Sequence, residues 1–106
     1  MNIIKDEFKN EEKKLKKHYA EKANLDKIIN HMKMCNSSQE LHESEISRMY
    51  GFEQLKHEFS GYYSFNLCKI GGVIRLLFIL NNKNNSVELK FISMNHYEDF
   101  RRKLNK

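Results

Sequence analysis

Residues 62–92 read YYSFNLCKIGGVIRLLFILNNKNNSVELKFI, and the alternation in this stretch decides the fold. Tyr63, Phe65 and Leu67 alternate with Ser64 and Asn66. A period of two places the apolar set on one face of a strand. Gly71-Gly72 then supplies a turn. In the next run, Ile74, Leu76, Phe78 and Leu80 share one face and Arg75, Leu77 and Ile79 the other. The polar stretch Asn81–Asn85 is a second turn signal. Val87, Leu89 and Phe91 follow, alternating with Glu88, Lys90 and Ile92. Three strands joined by short turns make an antiparallel meander.

Upstream the period lengthens. Ile4, Phe8, Leu15 and Tyr19 fall within a narrow angle on a helical wheel, separated mostly by Lys and Glu. This predicts an amphipathic helix after a very short strand at Asn2–Ile4. Asn24 reads as an N-cap with Asp26 in the first turn, and Leu25, Ile28, Ile29 and Met32 form a second stripe. Two helices joined at Ala20–Asn24 give a hairpin whose apolar stripes the sheet covers. In residues 36–52, Ser37 with Glu40 resembles a capping box, while Leu41, Ile46 and Met49 do not share one face. Short helical turns or an irregular connection are expected there. At the other end, Asn95 with Glu98 suits a helix start, placing His96 at its first position. Tyr97, Phe100 and Leu104 then follow at helical spacing among Arg101, Arg102 and Lys103. The expected architecture is α+β: an N-terminal helical hairpin on a small, mainly antiparallel sheet, with a short C-terminal helix.

At 106 residues the chain suffices for one domain with one modest core, so residues 1–106 are read as a single unit. With 40% hydrophobic and 31% charged residues, the composition is that of a globular protein with a heavily solvated surface. No apolar run reaches the length of a membrane span, and no secretory pattern opens the chain. A cytoplasmic location is expected. Cys35 and Cys68 lack metal-ligand spacing, and no CxxC, HxxxH or HExxH pattern exists, so both read as buried reduced thiols. Neither a metal nor another cofactor is expected.

The net charge is +5 and unevenly placed. Residues 1–61 carry eleven Lys/Arg and eleven Asp/Glu, whereas residues 62–106 carry eight and three. The excess on the sheet half points to a polyanion (RNA, ribosome or DNA) or to an acidic protein partner. The run Lys13-Lys14-Leu15-Lys16-Lys17 reads first as the solvated face of the first helix and only second as an RNA patch.

A set of chemically capable residues surrounds the predicted strands. Glu53 and Lys56 lie just before the Phe59-Ser60-Gly61-Tyr62 turn, Arg75 lies in the middle strand, and His96-Tyr97 follow the last one. A carboxylate can take a proton from a ribose 2'-hydroxyl. Arg and Lys can neutralise a phosphate as charge builds, and an imidazole can return a proton to the leaving oxygen. Taken singly, each has a plainer reading: Glu53 as a surface glutamate, Arg75 as a solvated charge or a cross-strand partner of Glu88, His96 and Tyr97 as a cap and a core aromatic. Lys90 is a second possible member of the basic surface.

Taken together, they resemble a known family. Glu53-Gln54-Leu55-Lys56 with Phe59-Ser60-Gly61-Tyr62-Tyr63-Ser64 is similar to the Glu-x-Leu-Lys and Leu-Ser-Gly-Tyr-aromatic-Ser segment of the YoeB-like branch of RelE toxins. Ile74-Arg75-Leu76-Leu77-Phe78 resembles that branch's Arg-Leu-Val-Tyr strand, and Asn95-His96-Tyr97 its closing His-Tyr. Phe65 and Asn66 stand where the branch has two basic residues. The resemblance covers roughly residues 53–97 and implies a RelE-like fold. It also implies a type II toxin that enters the ribosomal A site, cuts mRNA without a metal and is neutralised by a cognate antitoxin. Glu53 would be the general base, Arg75 the transition-state stabiliser, His96 the general acid, and Tyr97 a substrate-positioning residue. Lys56, Lys90, Arg101 and Arg102 would form the RNA-binding surface. Two other readings remain at this stage: a ParE-like gyrase inhibitor, and a catalytically inert RNA- or protein-binding relative. Oligomeric state is not legible.

Overall fold

The computed structural model describes residues 1–6, 8–69 and 71–105 and is an α+β fold. Five strands form one sheet in the order β1-β5-β4-β3-β2. The central meander, β3 (Tyr63–Asn66), β4 (Arg75–Asn81) and β5 (Ser86–Ser93), is antiparallel, as the alternation predicts. β1 (Asn2–Ile4) adds to β5 in parallel, and the two-residue β2 (Glu53–Gln54) adds antiparallel to β3. β2 is too short to give an alternation signal.

One irregularity governs both faces. The β4–β5 register steps from Leu77↔Phe91 to Phe78↔Leu89, leaving Lys90 as the extra residue of a β-bulge. Val87, Leu89 and Ile92 therefore join the core beneath the helices with Phe65, Leu76 and Phe78. Phe91, expected on that same face, instead joins Leu77, Leu55, Phe59 and Phe100 on the opposite face. The sheet is apolar on both sides, and each side has its own cover.

The N-terminal layer differs from the expected hairpin in its boundaries. A short α1 (Lys9–Glu12) runs on as a 3-10 turn over Lys13–Leu15, and α2 spans Tyr19–Met34. The reversal falls at residues 16–18, not at Ala20–Asn24. Asn24 is not a cap. It lies inside α2, where its amide donates to the Leu67 carbonyl at 2.7 Å and its oxygen accepts from the Tyr50 hydroxyl at 3.1 Å. Tertiary partners satisfy a side chain that by local preference would end a helix. Leu25, Ile28, Ile29 and Met32 are buried as the stripe predicts. Residues 36–52 hold α3 (Ser38–Glu43) and α4 (Glu45–Met49). Ser37 accepts from the Glu40 amide at 3.2 Å, and the Glu40 carboxylate accepts from the Asn36 amide at 3.1 Å.

α1 clasps the free edge of β5 beyond β1. Glu11 accepts from the Ile92 amide at 2.9 Å, and Lys14 donates to the Ile92 carbonyl at 2.8 Å while pairing with Glu11 at 2.7 Å. The Lys14 ammonium lies 3.7 Å from the centre of the Phe91 ring. Lys13, Lys16 and Lys17 are exposed, but on the 3-10 turn and the reversal after it, not on the face of one helix as expected. Cys35 is buried, and desolvation raises its thiol pKa above the ordinary value. Cys68 is only half-buried, less than expected.

Candidate active site

The site lies on the sheet face away from α2. Register fixes two rows across that face. Glu53 pairs with Ser64, Ser64 with Leu77, and Leu77 with Phe91; in the next row Asn66 pairs with Arg75 and Arg75 with Ser93. Residues paired across strands share a face, so Glu53, Ser64, Arg75 and Ser93 all point the same way. Glu53 and Arg75 stand two strands and one row apart. At ordinary sheet spacings their backbones are about 12 Å from one another. Two long side chains reaching inward across that distance can flank one phosphodiester.

The local chain explains how each group is held. A 3-10 turn at His57–Phe59 follows Lys56 and returns the chain through Gly61, whose φ of +94° suits glycine. The Leu55 amide donates to the Tyr62 carbonyl at 2.9 Å and closes this β2–β3 connection. Glu53 and Lys56 are exposed at its near end. Arg75 opens β4 half-buried, and its Nη1 donates to the Gly72 carbonyl at 2.8 Å. Among the described residues, its Nε and Nη2 make no hydrogen bond, which leaves those donors available to an anion.

His96 does not begin the last helix. α5 spans Glu98–Leu104, with Tyr97 as its cap residue and the Glu98 amide bonded to the Asn95 carbonyl at 3.0 Å. Asp99, in the first turn, accepts from the Met94 amide at 2.9 Å and so fixes the entry into the helix. His96 sits in the preceding bend with φ +53°, exposed, and its amide donates to the Val73 carbonyl at 2.7 Å. That bond pins its backbone two residues from Arg75.

Tyr97 joins the two sides of the site. Its ring packs on Phe59 at 5.7 Å between centroids. Its hydroxyl lies 3.0 Å from Ser64 Oγ and donates to Glu53 Oε2 at 3.3 Å. Beneath it, Phe100 meets Phe59, Tyr62 and Phe91 at 5.5, 4.8 and 5.3 Å. This aromatic base covers the second apolar face of the sheet and seats α5 on it.

The remaining basic residues lie elsewhere or are paired. Lys90, at the bulge, forms an ion pair with Glu88 at 2.6 Å. Glu88 thus pairs with Lys90 and not with Arg75, because register places Ser93, not Glu88, opposite Arg75. Arg101 bridges Glu58 at 2.8 Å and Glu98 at 2.9 Å, and the Glu58 bond raises its pKa above the usual guanidinium value. It ties α5 to the turn carrying Lys56. Arg102 lies 4.0 Å from Asp99 and lines, with Glu11, Phe91, Asp99 and Lys103, an open groove of about 630 Å³ between α1 and α5.

Two serines escaped the sequence reading. Ser64 was legible only as part of a motif, and Ser93 carried no signal. Ser93 is fully buried, and its hydroxyl has no hydrogen-bond partner among the described residues. An unsatisfied buried hydroxyl destabilises, so Ser93→Ala is expected to raise stability by about 1 kcal/mol. Chemical denaturation checks this; a lower midpoint would show that the hydroxyl has a partner in solution. Among the described residues, no group of three or more His, Cys, Asp or Glu is placed to hold a metal ion, and no helix is long and apolar enough to cross a membrane.

No family model, curated protein or solved structure matches the chain.

Proposed function

We propose that this chain is a RelE-like toxin of the YoeB-like branch, a ribosome-dependent mRNA endonuclease neutralised by a cognate antitoxin. The observation that carries the reading is the union of Glu53 with Tyr97 on the sheet face that also carries Arg75. The His96 amide bonds to the Val73 carbonyl, two residues before Arg75. That Glu53, Arg75 and Tyr97, far apart in sequence, share one sheet face supports the reading.

In this reading Glu53 removes the proton from a ribose 2'-hydroxyl. The 2'-oxygen attacks the adjacent phosphorus, and the 5'-oxygen leaves with a proton from His96. The products are a 2',3'-cyclic phosphate and a 5'-hydroxyl end. Arg75 stabilises the charge gathering on the phosphoryl oxygens through its Nε and Nη2 donors. Tyr97 positions the reacting nucleotide beside Glu53. Lys56 holds the mRNA backbone, and Arg101, through Glu58 and Glu98, ties α5 to the turn that carries Lys56. The ribosome places the mRNA, so the protein acts in the cytoplasm, and no cofactor enters the scheme. The antitoxin would cover the basic face.

Primer extension on cellular mRNA after brief induction tests this. The expected result is new cuts within translated frames, absent with Arg75→Ala at equal protein level. Double-strand DNA breaks with intact mRNA would replace this reading with gyrase inhibition. Intact mRNA and DNA from a soluble, folded protein would leave a binding module.

A further inference from the structure

We infer that Ser64 is a positioning residue of this same site, one that fixes the Tyr97 hydroxyl proton on Glu53; the inference rests on the endonuclease reading. The argument is a proton inventory. A phenol has one O–H to give, and the Tyr97 hydroxyl gives it to Glu53 Oε2 at 3.3 Å. The 3.0 Å contact between Ser64 Oγ and the Tyr97 hydroxyl must then run the other way, with Ser64 donating. The order is Ser64 to Tyr97 to Glu53, two donors in series ending on one carboxylate oxygen. Each bond polarises the next.

Ser64 is 1% exposed, on β3 between Glu53 of the edge strand and Leu77 of β4, and is closed to an entering substrate. Its hydroxyl therefore acts only through Tyr97. Two consequences follow for the carboxylate. The phenol engages one acceptor site of Oε2, which makes Oε1, with both its sites open among the described residues, the oxygen assigned to receive the 2'-hydroxyl proton. The carboxylate plane is also held, so a long and exposed side chain becomes a base of fixed orientation. The Phe59 ring against Tyr97 limits the phenol from its other side.

The test pairs a catalytic readout with one that does not depend on catalysis. With tyrosines labelled at the ring carbon bearing oxygen, the Tyr97 NMR signal is assigned by its loss in Tyr97→Phe. The same signal is expected to shift in both Ser64→Ala and Glu53→Gln at unchanged melting temperature. In ribosome-dependent cleavage, Ser64→Ala is expected to lower kcat about tenfold, the worth of one hydrogen bond, with KM unchanged. Ser64→Thr, which keeps the hydroxyl, is expected to restore both readouts. A Tyr97 signal unmoved by Ser64→Ala would overturn the proton order whether or not the protein cuts mRNA. A shifted signal with wild-type kcat would overturn the positioning role alone. A shifted signal in a protein whose wild type cuts nothing would overturn the endonuclease reading, and the positioning role with it.

Discussion

Glu53→Gln is expected to slow mRNA cleavage by roughly 10²–10⁴-fold, the usual contribution of a positioned general base. Glutamine keeps the shape and can still accept from the Tyr97 hydroxyl, but it cannot take a proton from ribose. Because Glu53 is exposed on a two-residue edge strand, its charge contributes little to folding, and the melting temperature should stay within a degree or two. Single-turnover cleavage on programmed ribosomes, beside thermal melts, separates the two effects. A variant that cuts at the wild-type rate would remove Glu53 from the base role and pass that role to another group on the same face.

The second large effect concerns the turn, not the chemistry. Gly72→Ala would place its new methyl group into the Cβ and Sγ of Cys68. The sulfur can turn about χ1, but Cβ is fixed to the backbone of the turn and cannot swing aside. Overpacking of this kind costs about 3 kcal/mol at its upper range. For a chain of this size that corresponds to a fall of roughly 10–20 °C in melting temperature. Thermal melts check it, and the double change Gly72→Ala with Cys68→Gly should recover most of the loss, since the obstructing atoms are then gone. The single variant should also cut poorly, because the Gly72 carbonyl holds the Arg75 guanidinium. An unchanged melting temperature in Gly72→Ala would mean that this turn opens freely.

The sheet was the legible part of the fold. Tyr63–Asn66, Arg75–Asn81 and Ser86–Ser93 lie where alternation and the Gly-Gly and Asn-rich turns put them. Three things were hidden. The Lys90 bulge changes which face Phe91 takes, and a bulge is invisible to any reading that assumes strict period two. Asn24 has the composition of a cap but sits mid-helix, because its partners Tyr50 and Leu67 come from far along the chain. Tyr19, counted into the first apolar stripe, begins α2 and is exposed. That stripe ends at Leu15, where the 3-10 turn tightens the chain.

Residue types and order pointed to Glu53, Arg75, His96 and Tyr97; the fold brings Glu53, Arg75 and Tyr97 to one side of the sheet and bonds the His96 backbone to Val73, two residues before Arg75. Sequence could not give the hydrogen bond from Tyr97 to Glu53, which spans 44 positions. Nor could it reveal Ser64 as its third member, because a serine at an alternating position in a strand looks like any solvated residue. Arg101 illustrates the opposite failure. Its charge suggested a free cation, yet two carboxylates from different elements engage it. The Phe65 position, where the resembling branch carries a basic residue, is wholly core here, its ring stacked on Phe78 at 5.3 Å.

A strand has parity: each residue along it toggles between two sides. The extra residue at Lys90 inverts that parity once, near the middle of the hairpin, so the two halves of β5 serve different sides of the protein with the same side-chain positions. With an even count, Ile92 would occupy the aromatic side, and Ser93 would turn away from Arg75 into the helical core. The segment that follows would start from the wrong phase, and with it the bend holding His96. A single extra residue thus decides which side of the sheet each residue after it serves, and the phase in which the chain leaves β5 for α5.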